Sequence, residues 1–265
     1  MNRAIAPARW LRVLVLSLVG ALFAVPLVGM AEFTLREGNG HGWGHWADML
    51  HPARPEVYAP LWQGLRNSLV LAVATIAIVM LLVAPTMVLV HLRFPRLRRW
   101  MEVVALLPIA LPSIALVVGL APIYLVIGHA FGTGIWSLAF AYGITCLPFA
   151  YRALQANLDA VDTRTHAEAA RSLGASWGRV LLRVIAPNVR RGLMLAGLIS
   201  VAVVLGEFTI ASLLNRQNMQ TALVVVSKID PFVAVIMSLL SLALVFVLLL
   251  VIDRVGRLLT VRSGR

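Results

Sequence analysis

The sequence is built from blocks of about twenty consecutive apolar residues, separated by short polar stretches. A helix rises 1.5 Å per residue, so about 20 apolar residues cross a hydrocarbon core about 30 Å thick. Apolar residues make up 60% of the chain and charged residues 13%, whereas soluble domains carry about 25% charged residues. Since the apolar runs are continuous and do not alternate with polar residues, they exclude membrane strands. The chain is therefore a polytopic helical membrane protein.

The pattern predicts an all-α bundle of six membrane-spanning helices within one domain, residues 1–265. The six spans cover residues 11–31, 68–90, 103–127, 134–153, 193–214 and 232–252. The first is longer than the apolar core of a signal peptide and is expected to be a retained anchor. The third contains Pro108, Pro112 and Pro122, which predict a kinked helix.

Arginines are concentrated in every second connection between the spans. Residues 93–99 and 152–191 are strongly basic, as are both ends of the chain, while the other two connections are nearly balanced in charge. Cytoplasmic loops of membrane proteins carry an excess of Arg and Lys, so both termini are expected in the cytoplasm. The same rule accounts for the net charge of +12 without a nucleic-acid partner, since no aromatic and basic platform accompanies the charge.

The basic connection at 155–190 has its own folding signals. Thr165 and Glu168 have the spacing of a capping box, and Gly174 stands where a left-handed helix end is expected. Ser176 can cap a second helix, which Pro187 would end or bend. An apolar stripe follows on that helix, at Trp177, Val180, Leu181, Val184 and Ile185. The pattern predicts two short amphipathic helices that lie on lipid or contact a partner protein, with the partner favoured.

The stretch EAARSLGASWGRVLLRVIAP resembles the EAA loop of bacterial ABC-importer permeases of type I. Glu168-Ala169-Ala170, Gly174 and Pro187 match the motif, while Val184 and Ala186 depart from the usual Ile and Leu. LRNSLVLAVAT and LLPIALPSIAL carry the resemblance into the second and third spans. The pattern is most similar to the spermidine/putrescine, iron, thiamine and aminoethylphosphonate branch.

That resemblance implies the permease subunit of an ATP-driven importer, which forms half of the substrate pathway. Its partners would be two copies of a cytoplasmic ATP-binding subunit, a second permease (a sister chain or itself), an extracytoplasmic substrate-binding protein and membrane lipid. The residues expected to couple the permease to the ATPase are Glu168, Ala169, Ala170, Leu173, Gly174 and Trp177.

The chain lacks the motifs of an enzyme. Its one lysine, Lys228 in VSKID, is not part of a phosphate-binding loop, so ATP hydrolysis is assigned to a partner, with no cofactor or catalytic residue here. His41, His45, His51 and Asp48 are suitable metal ligands, but a loop at the membrane surface, rich in Trp and Gly, is favoured and no metal is expected.

Glu207, in LGEFTIASLL, is an acid within the fifth span, and an intramembrane charge is a candidate functional residue. Its carboxylate favours a polyamine-type substrate, although a packing or gating role is equally consistent with the sequence. The other candidates for the substrate pathway are Asn67, Ser113, Tyr142, Thr145, Thr209 and Ser212.

Two other functions remain open from the sequence alone. An ion-coupled secondary transporter or channel would work without an ATPase, but such proteins carry ionisable residues in several spans, and Glu207 is nearly alone. A membrane scaffold that recruits a partner through residues 155–190 is disfavoured by the proline-rich third span.

Overall fold

The computed structural model describes residues 9–38, 40–50 and 55–261, and these are mostly helical. His51, one of the candidate metal ligands, lies outside the described residues, as do Arg3, Arg54, Arg262 and Arg265. The chain divides into two compact units, one made of Met1–Ala59 with Leu223–Ala243 and the other of Pro60–Ala222 with Leu244–Arg265.

The helices in chain order begin with α1 (Arg9–Thr34), α2 (Gly44–Leu50), α3 (Pro55–Ile78), α4 (Ala84–Arg93), α5 (Arg98–Ala110), α6 (Ser113–Phe131) and α7 (Ala139–Ala160). The second half contains α8 (Thr163–Ser172), α9 (Trp177–Arg179), α10 (Ala186–Asn188), α11 (Arg190–Gly206), α12 (Thr209–Leu213), α13 (Met219–Ser227) and α14 (Pro231–Val261). Wider π-helical turns at Val79–Val83 and Val180–Ile185 join α3 to α4 and α9 to α10. A two-stranded hairpin pairs β1 (Arg36–Glu37) with β2 (Gly40–His41).

Among the described residues, four helices are long and apolar enough to cross a membrane: Arg9–Thr34, Tyr58–Arg93, Ser113–Ala130 and Pro231–Leu248. The number is five if the bent pair Trp177–Asn188 and Arg190–Gly206 is one span. Helix α7, which covers the predicted fourth span, is not among them. Its side chains from Ala139 to Leu158 are largely buried by protein, so it does not need the uniformly apolar surface of a lipid-exposed helix. The chain is thus a polytopic helical protein, and the count of six spans stays a prediction.

In the unit formed by Met1–Ala59 and Leu223–Ala243, the loop after α1 is folded. The rings of Phe33 and His45 both stack on Phe232, with centroids 4.7 and 4.0 Å away. Tyr58 donates a hydrogen bond to the Asp230 carboxylate at 3.0 Å. The GHGWGHW segment, residues 40–46, is therefore packed within this unit.

In the unit formed by Pro60–Ala222 and Leu244–Arg265, α7 packs closely along α11. A Cβ placed on Gly192 would lie 3.0 Å from the carbonyl oxygen of Ala153, and Ala196 and Ser200 continue the line of small buried residues. Small residues let two helix backbones approach in a membrane bundle, where packing replaces the hydrophobic effect between helices.

The predicted third span is two helices in the structure. Helix α5 ends at Ala110 and α6 begins at Ser113, with Leu111 in an extended conformation between them. Pro112 has no amide hydrogen and disfavours helical backbone at the residue before it. The expected kink is thus a break, and the prolines at 108 and 122 stay inside their helices.

The predicted fifth span, residues 193–214, is also interrupted. Helix α11 ends at Gly206, Glu207 is extended (φ −88°, ψ 124°), and α12 starts at Thr209. The sequence has no proline between residues 193 and 214, so its pattern predicts one continuous helix there.

Candidate functional site

The predicted coupling loop (residues 155–190) forms two helical segments joined by a tight turn. Helix α8 ends at Ser172 with Leu173 as its C-cap, and Gly174 has φ +82°, in the left-handed region. The amide of Ala175 donates to the carbonyl of Ala170 at 3.0 Å, which closes the helix end. A Cβ at Gly174 would have no atom within 4 Å, so glycine is favoured here by backbone conformation alone. The predicted glycine stop is confirmed.

The predicted capping box is wrong. Helix α8 begins at Thr163, three residues before the start that a cap at Thr165 would give, and its N-cap is Asp162, whose carboxylate accepts a hydrogen bond from the Thr165 amide at 3.2 Å. Hydrogen bonds from Thr165 lower the pKa of Asp162. Glu168 is then too far along the helix to reach back to the cap; it pairs with Arg164 at 2.8 Å instead and raises the pKa of that guanidinium.

The apolar stripe of the second helix packs on the chain's own core. Val180 and Ile185 are fully buried, in one cluster with Ala150, Leu154 and Leu158 of α7. Leu181 and Val184 are partly buried against the same cluster. This stripe is therefore occupied by the chain's own core and does not face a partner, which corrects one of the expectations for the loop.

The turn between the two helices points its side chains into solvent. Leu173 is 89% exposed, Ala169 is exposed, and the Glu168 side chain is 66% exposed. Ala170 and Trp177 are partly buried. The six residues expected to couple thus lie around one turn, with an exposed leucine at its tip and a buried stripe behind it.

A second cluster forms where α11 breaks, and it centres on Glu207. The Glu207 carboxylate accepts hydrogen bonds from the amides of Thr209 and Ile210, each at 2.9 Å, and so caps the start of α12. Tyr142 of α7 donates its hydroxyl to the same carboxylate at 3.1 Å. The 17 residues of α11 place Glu207 about 25 Å along the helix from Arg190.

Asn218 completes this cluster from the far side of the break. Its side-chain amide is fully buried and donates to the Glu207 carbonyl at 2.7 Å and to the Tyr142 hydroxyl at 3.1 Å. Its side-chain oxygen accepts from the Thr221 amide at 2.9 Å, the bond of a helix N-cap for α13. Every polar atom of the Asn218 side chain therefore has a partner.

Helix α3 closes the other side of the break. Asn67 donates to the Gln217 carbonyl at 2.8 Å, and the Met219 amide donates to Ser68 at 2.9 Å. A Cβ at Gly64 would lie 2.7 Å from the Asn218 carbonyl oxygen, so only glycine permits this approach of the two backbones. We call residues 207–218, with these partners, the membrane break.

The structure brings four of the candidate pathway residues together in the membrane break: Glu207, Tyr142, Thr209 and Asn67. The side chains of the other three take no part in these hydrogen bonds. Ser113 and Ser212 are exposed, and Thr145 donates to the Tyr142 carbonyl within its own helix.

Sequence reasoning missed Ser68, Gln217, Asn218 and Gln220, the last of which donates to the Leu205 carbonyl at 2.6 Å. The signal that could have found Asn218 is Asn-Met-Gln-Thr, a helix N-cap pattern in the middle of an apolar region.

A cavity of about 490 Å³ lies beside the membrane break, between α6 and the residues after α12. His129 and Thr133 line one wall, and Asn215 and Arg216 line the other. The buried Nε of Arg216 has no hydrogen-bond partner among the described residues. Tyr124, also at the wall, is held by the Ser137 carbonyl and the Ala141 amide.

The two described histidines of the first loop have separate partners. His41 lies 3.3 Å from Glu32, which also holds Arg36, and His45 contacts the Arg36 carbonyl at 3.0 Å. Within residues 9–38, 40–50 and 55–261, no three His, Cys, Asp or Glu side chains are grouped to hold a metal ion.

Comparison with known protein families identifies the family of this chain. Residues 88–263, about two thirds of the chain, match the family described as the binding-protein-dependent transport system inner membrane component. The chain belongs to this family. Comparison with curated proteins finds no significant match.

Membership identifies the chain as a type I permease of an ABC importer, a multi-pass component of the inner membrane. Such a permease works with an ATPase and a substrate-binding protein and is a transport component, not itself an enzyme. The matched region contains both the coupling loop and the membrane break. The family thereby favours the importer over the ion-coupled transporter and the scaffold.

Proposed function

We propose that this permease forms half of a translocation pathway and receives the ATPase through the turn at Leu173–Gly174. The observation that carries the proposal is the exposure of Leu173 at 89%, on a turn whose supporting helix is anchored in the core by Val180 and Ile185. An exposed leucine on a rigid support has the form of a side chain that fills a hydrophobic groove on a partner.

The anchoring gives the turn a mechanical connection to the membrane helices. Helix α8 packs on the π-helical segment Val180–Ile185 through the buried Ala167. The segment Trp177–Asn188, which contains this π-helical turn, meets α11 at an angle of 81°. A force applied at the turn is thus carried by packed helices to α11, which ends at Gly206, directly before Glu207 of the membrane break. Closure of two ATPases would in this way move the break in each of two paired permeases.

The coupling proposal is tested with Leu173→Asp and its matched control Leu97→Asp. Leu97 is an exposed leucine (50%) in the other basic connection, outside the coupling loop. Tagged permease is purified from its native membrane, and the ATPase that accompanies it is quantified. We expect at least a tenfold loss of ATPase with Leu173→Asp and none with Leu97→Asp. Retention of the ATPase in both variants would refute docking at this turn.

We also propose a membrane topology of six spans, with both termini in the cytoplasm. The basic connections support this orientation, since Arg93, Arg96 and Arg98 join α4 to α5 on the same side as the coupling loop. Cysteine accessibility at Arg96→Cys and Trp43→Cys tests it: a membrane-impermeant reagent added outside should label position 43 and leave position 96 unlabelled. The reverse pattern would contradict the orientation.

For the substrate, a small polar solute of the polyamine type is the first candidate, attracted by Glu207. The carboxylate already accepts hydrogen bonds from Thr209, Ile210 and Tyr142, yet no Arg, Lys or His side chain forms an ion pair with it among the described residues. Glu207→Gln would lower uptake of labelled spermidine while Glu102→Gln would not. An equal loss of assembled permease would assign Glu207 to structure alone.

An anionic solute is the second candidate, because the cavity beside the break is lined by Arg216 and His129 and by no acidic residue. A guanidinium whose Nε lacks a partner suits a carboxylate or phosphonate group. Arg216→Gln would then lower uptake of the anionic solute and leave permease assembly unchanged, whereas it would raise or not affect uptake of a polyamine.

A further inference from the structure

A cationic cavity lies where α4 ends, between α4 and the coupling loop. It measures about 310 Å³ and is lined by Arg93, Arg164 and Arg171, with Glu168 as its one acid. Arg93 is the last residue of α4 and of the 36-residue apolar segment Tyr58–Arg93, so the cavity lies where a membrane span meets the polar interface.

In the part of the chain that the structure describes, two of the three guanidinium groups have no carboxylate counter-ion. Arg164 is neutralised by Glu168 at 2.8 Å. The guanidinium groups of Arg93 and Arg171 lie 5.7 and 5.4 Å from the centroid of the Trp177 ring, and no carboxylate within the described ranges lies within 4 Å of either. Two like charges gathered around one indole repel each other, and a bound anion would relieve that repulsion.

An apolar cavity adjoins the cationic one. It measures about 230 Å³ and shares Leu92 and Trp177 with it. The rest of its lining comes from Val88 and Leu89 of α4, from Gly178 of α9, and from Val180, Leu181 and Ile185 of the π-helical segment Val180–Ile185. A ligand that filled both cavities would carry an anionic group at one end and a hydrocarbon group at the other.

We propose that these two cavities bind an anionic phospholipid, with the headgroup phosphate between Arg93 and Arg171 and an acyl chain against Leu89 and Leu181. Guanidinium groups bind phosphate oxygens through paired hydrogen bonds, and basic pockets between membrane helices on the cytoplasmic side are known lipid sites. The lipid would connect α4 to the coupling loop at Trp177, three residues after Gly174 in the turn that we propose receives the ATPase.

The test measures lipid binding directly, with the permease purified in complex with its ATPase and stripped of lipid in detergent. Native mass spectrometry records binding of phosphatidylglycerol, phosphatidylcholine and inorganic phosphate to the wild type, Arg93→Ala and Arg96→Ala. Arg96 is an exposed arginine three residues away that lines neither cavity. We expect Arg93→Ala to weaken phosphatidylglycerol binding at least tenfold and Arg96→Ala to leave it unchanged.

A fourth variant separates a lipid from a soluble anion. Gly178 lines the apolar cavity, and a Cβ there has no atom within 4 Å, so Gly178→Leu would fill the space for the acyl chain. It should weaken phosphatidylglycerol binding and leave inorganic phosphate unaffected.

Three results would overturn the proposal. Equal binding of inorganic phosphate and phosphatidylglycerol, insensitive to Gly178→Leu, would make this a site for a soluble anion. Equal losses with Arg93→Ala and Arg96→Ala would indicate unspecific attraction of lipid to a basic surface. Release of the ATPase by Arg93→Ala, with lipid binding intact, would mean that an acidic side chain of the partner fills the cationic cavity.

Discussion

The turn at Gly174 and the membrane break at residues 207–218 are both places where a helix stops, but their backbone groups are satisfied in opposite ways. At Gly174 the helix end is closed by neighbours in sequence, and the side chains around it face solvent. At the membrane break the partners are remote: Tyr142 lies 65 residues from Glu207 and 76 residues from Asn218. Water can satisfy a break in a loop, whereas a break in the membrane must be satisfied by protein.

This difference predicts that single substitutions in the membrane break cost more than those at the turn. The two sites allow matched experiments, because each contains a capped helix and a glycine. In the membrane break Gly64 lies close to another backbone segment, and at the turn Gly174 has a positive φ.

The largest effect is expected for Asn218→Ala. It leaves the Glu207 carbonyl and the Tyr142 hydroxyl without their buried donor and removes the cap of α13, which costs about 3 kcal/mol. The apparent midpoint of thermal unfolding in detergent should fall strongly. Asn188→Ala is the control, since Asn188 is exposed and bonds to Val184 within its own segment. Equal shifts in the two variants would remove the distinction between the sites.

Next in size is Gly64→Ala in α3. The added Cβ would lie 2.7 Å from the Asn218 carbonyl oxygen and 2.8 Å from the Ala222 Cβ, and relieving such a clash costs roughly 1–3 kcal/mol. Gly119→Ala in α6 meets no atom within 4 Å and should leave unfolding unchanged. If Gly64→Ala is as stable as Gly119→Ala, α3 does not approach the break as closely as described.

A smaller effect is expected for Gly174→Ala. The Cβ has free space, so the cost is the left-handed backbone alone, about 1–2 kcal/mol. Gly178→Ala is the matched control, with equal space and no positive φ. Amide hydrogen exchange at residues 168–175 should quicken in Gly174→Ala only. Faster exchange in both variants would mean that helix content, and not the turn conformation, is being measured.

The smallest effect concerns the exposed cap of α8. Hydrogen bonds from Thr165 lower the pKa of Asp162, so its contribution to helix stability is present above the pKa of the unfolded chain, about 3.9. That contribution is lost as the pH falls through the lower pKa of the folded state.

Asp162→Asn keeps an N-cap side chain but should abolish the pH dependence, whereas Asp162→Ala should weaken the helix at every pH. Exchange of residues 163–172, corrected for intrinsic rates between pH 3 and 7, measures both. An unchanged pH profile in Asp162→Asn would show that another group titrates.

Prediction from sequence succeeded where the residues that indicate a structural feature lie within a few positions of that feature. Gly174 and the amphipathic stripe at Trp177–Ile185 were found because left-handed glycine and helical spacing are local patterns. The predicted N-cap of α8 was wrong by three residues, since Asp162 and Thr165 are both good N-caps and only the packing of Thr163 and Ala167 against the bundle decides between them. Glu207 was found as a charge in an apolar span and Tyr142 as a pathway candidate, but the hydrogen bond between them and the part played by Asn218 were not predicted.

The sequence by itself determined that the chain crosses a membrane, that a basic loop with an EAA-like turn lies between two spans, and that the chain resembles an importer permease. These follow from hydropathy, charge and spacing, which are properties of neighbouring residues. The tertiary structure decided that α11 ends at Gly206, that Asn218, Tyr142 and Glu207 share hydrogen bonds, and that Arg93 meets Arg171 around Trp177. The physical reason is that polar groups inside a membrane must find partners wherever the folded helices bring them, and those partners are distant in sequence.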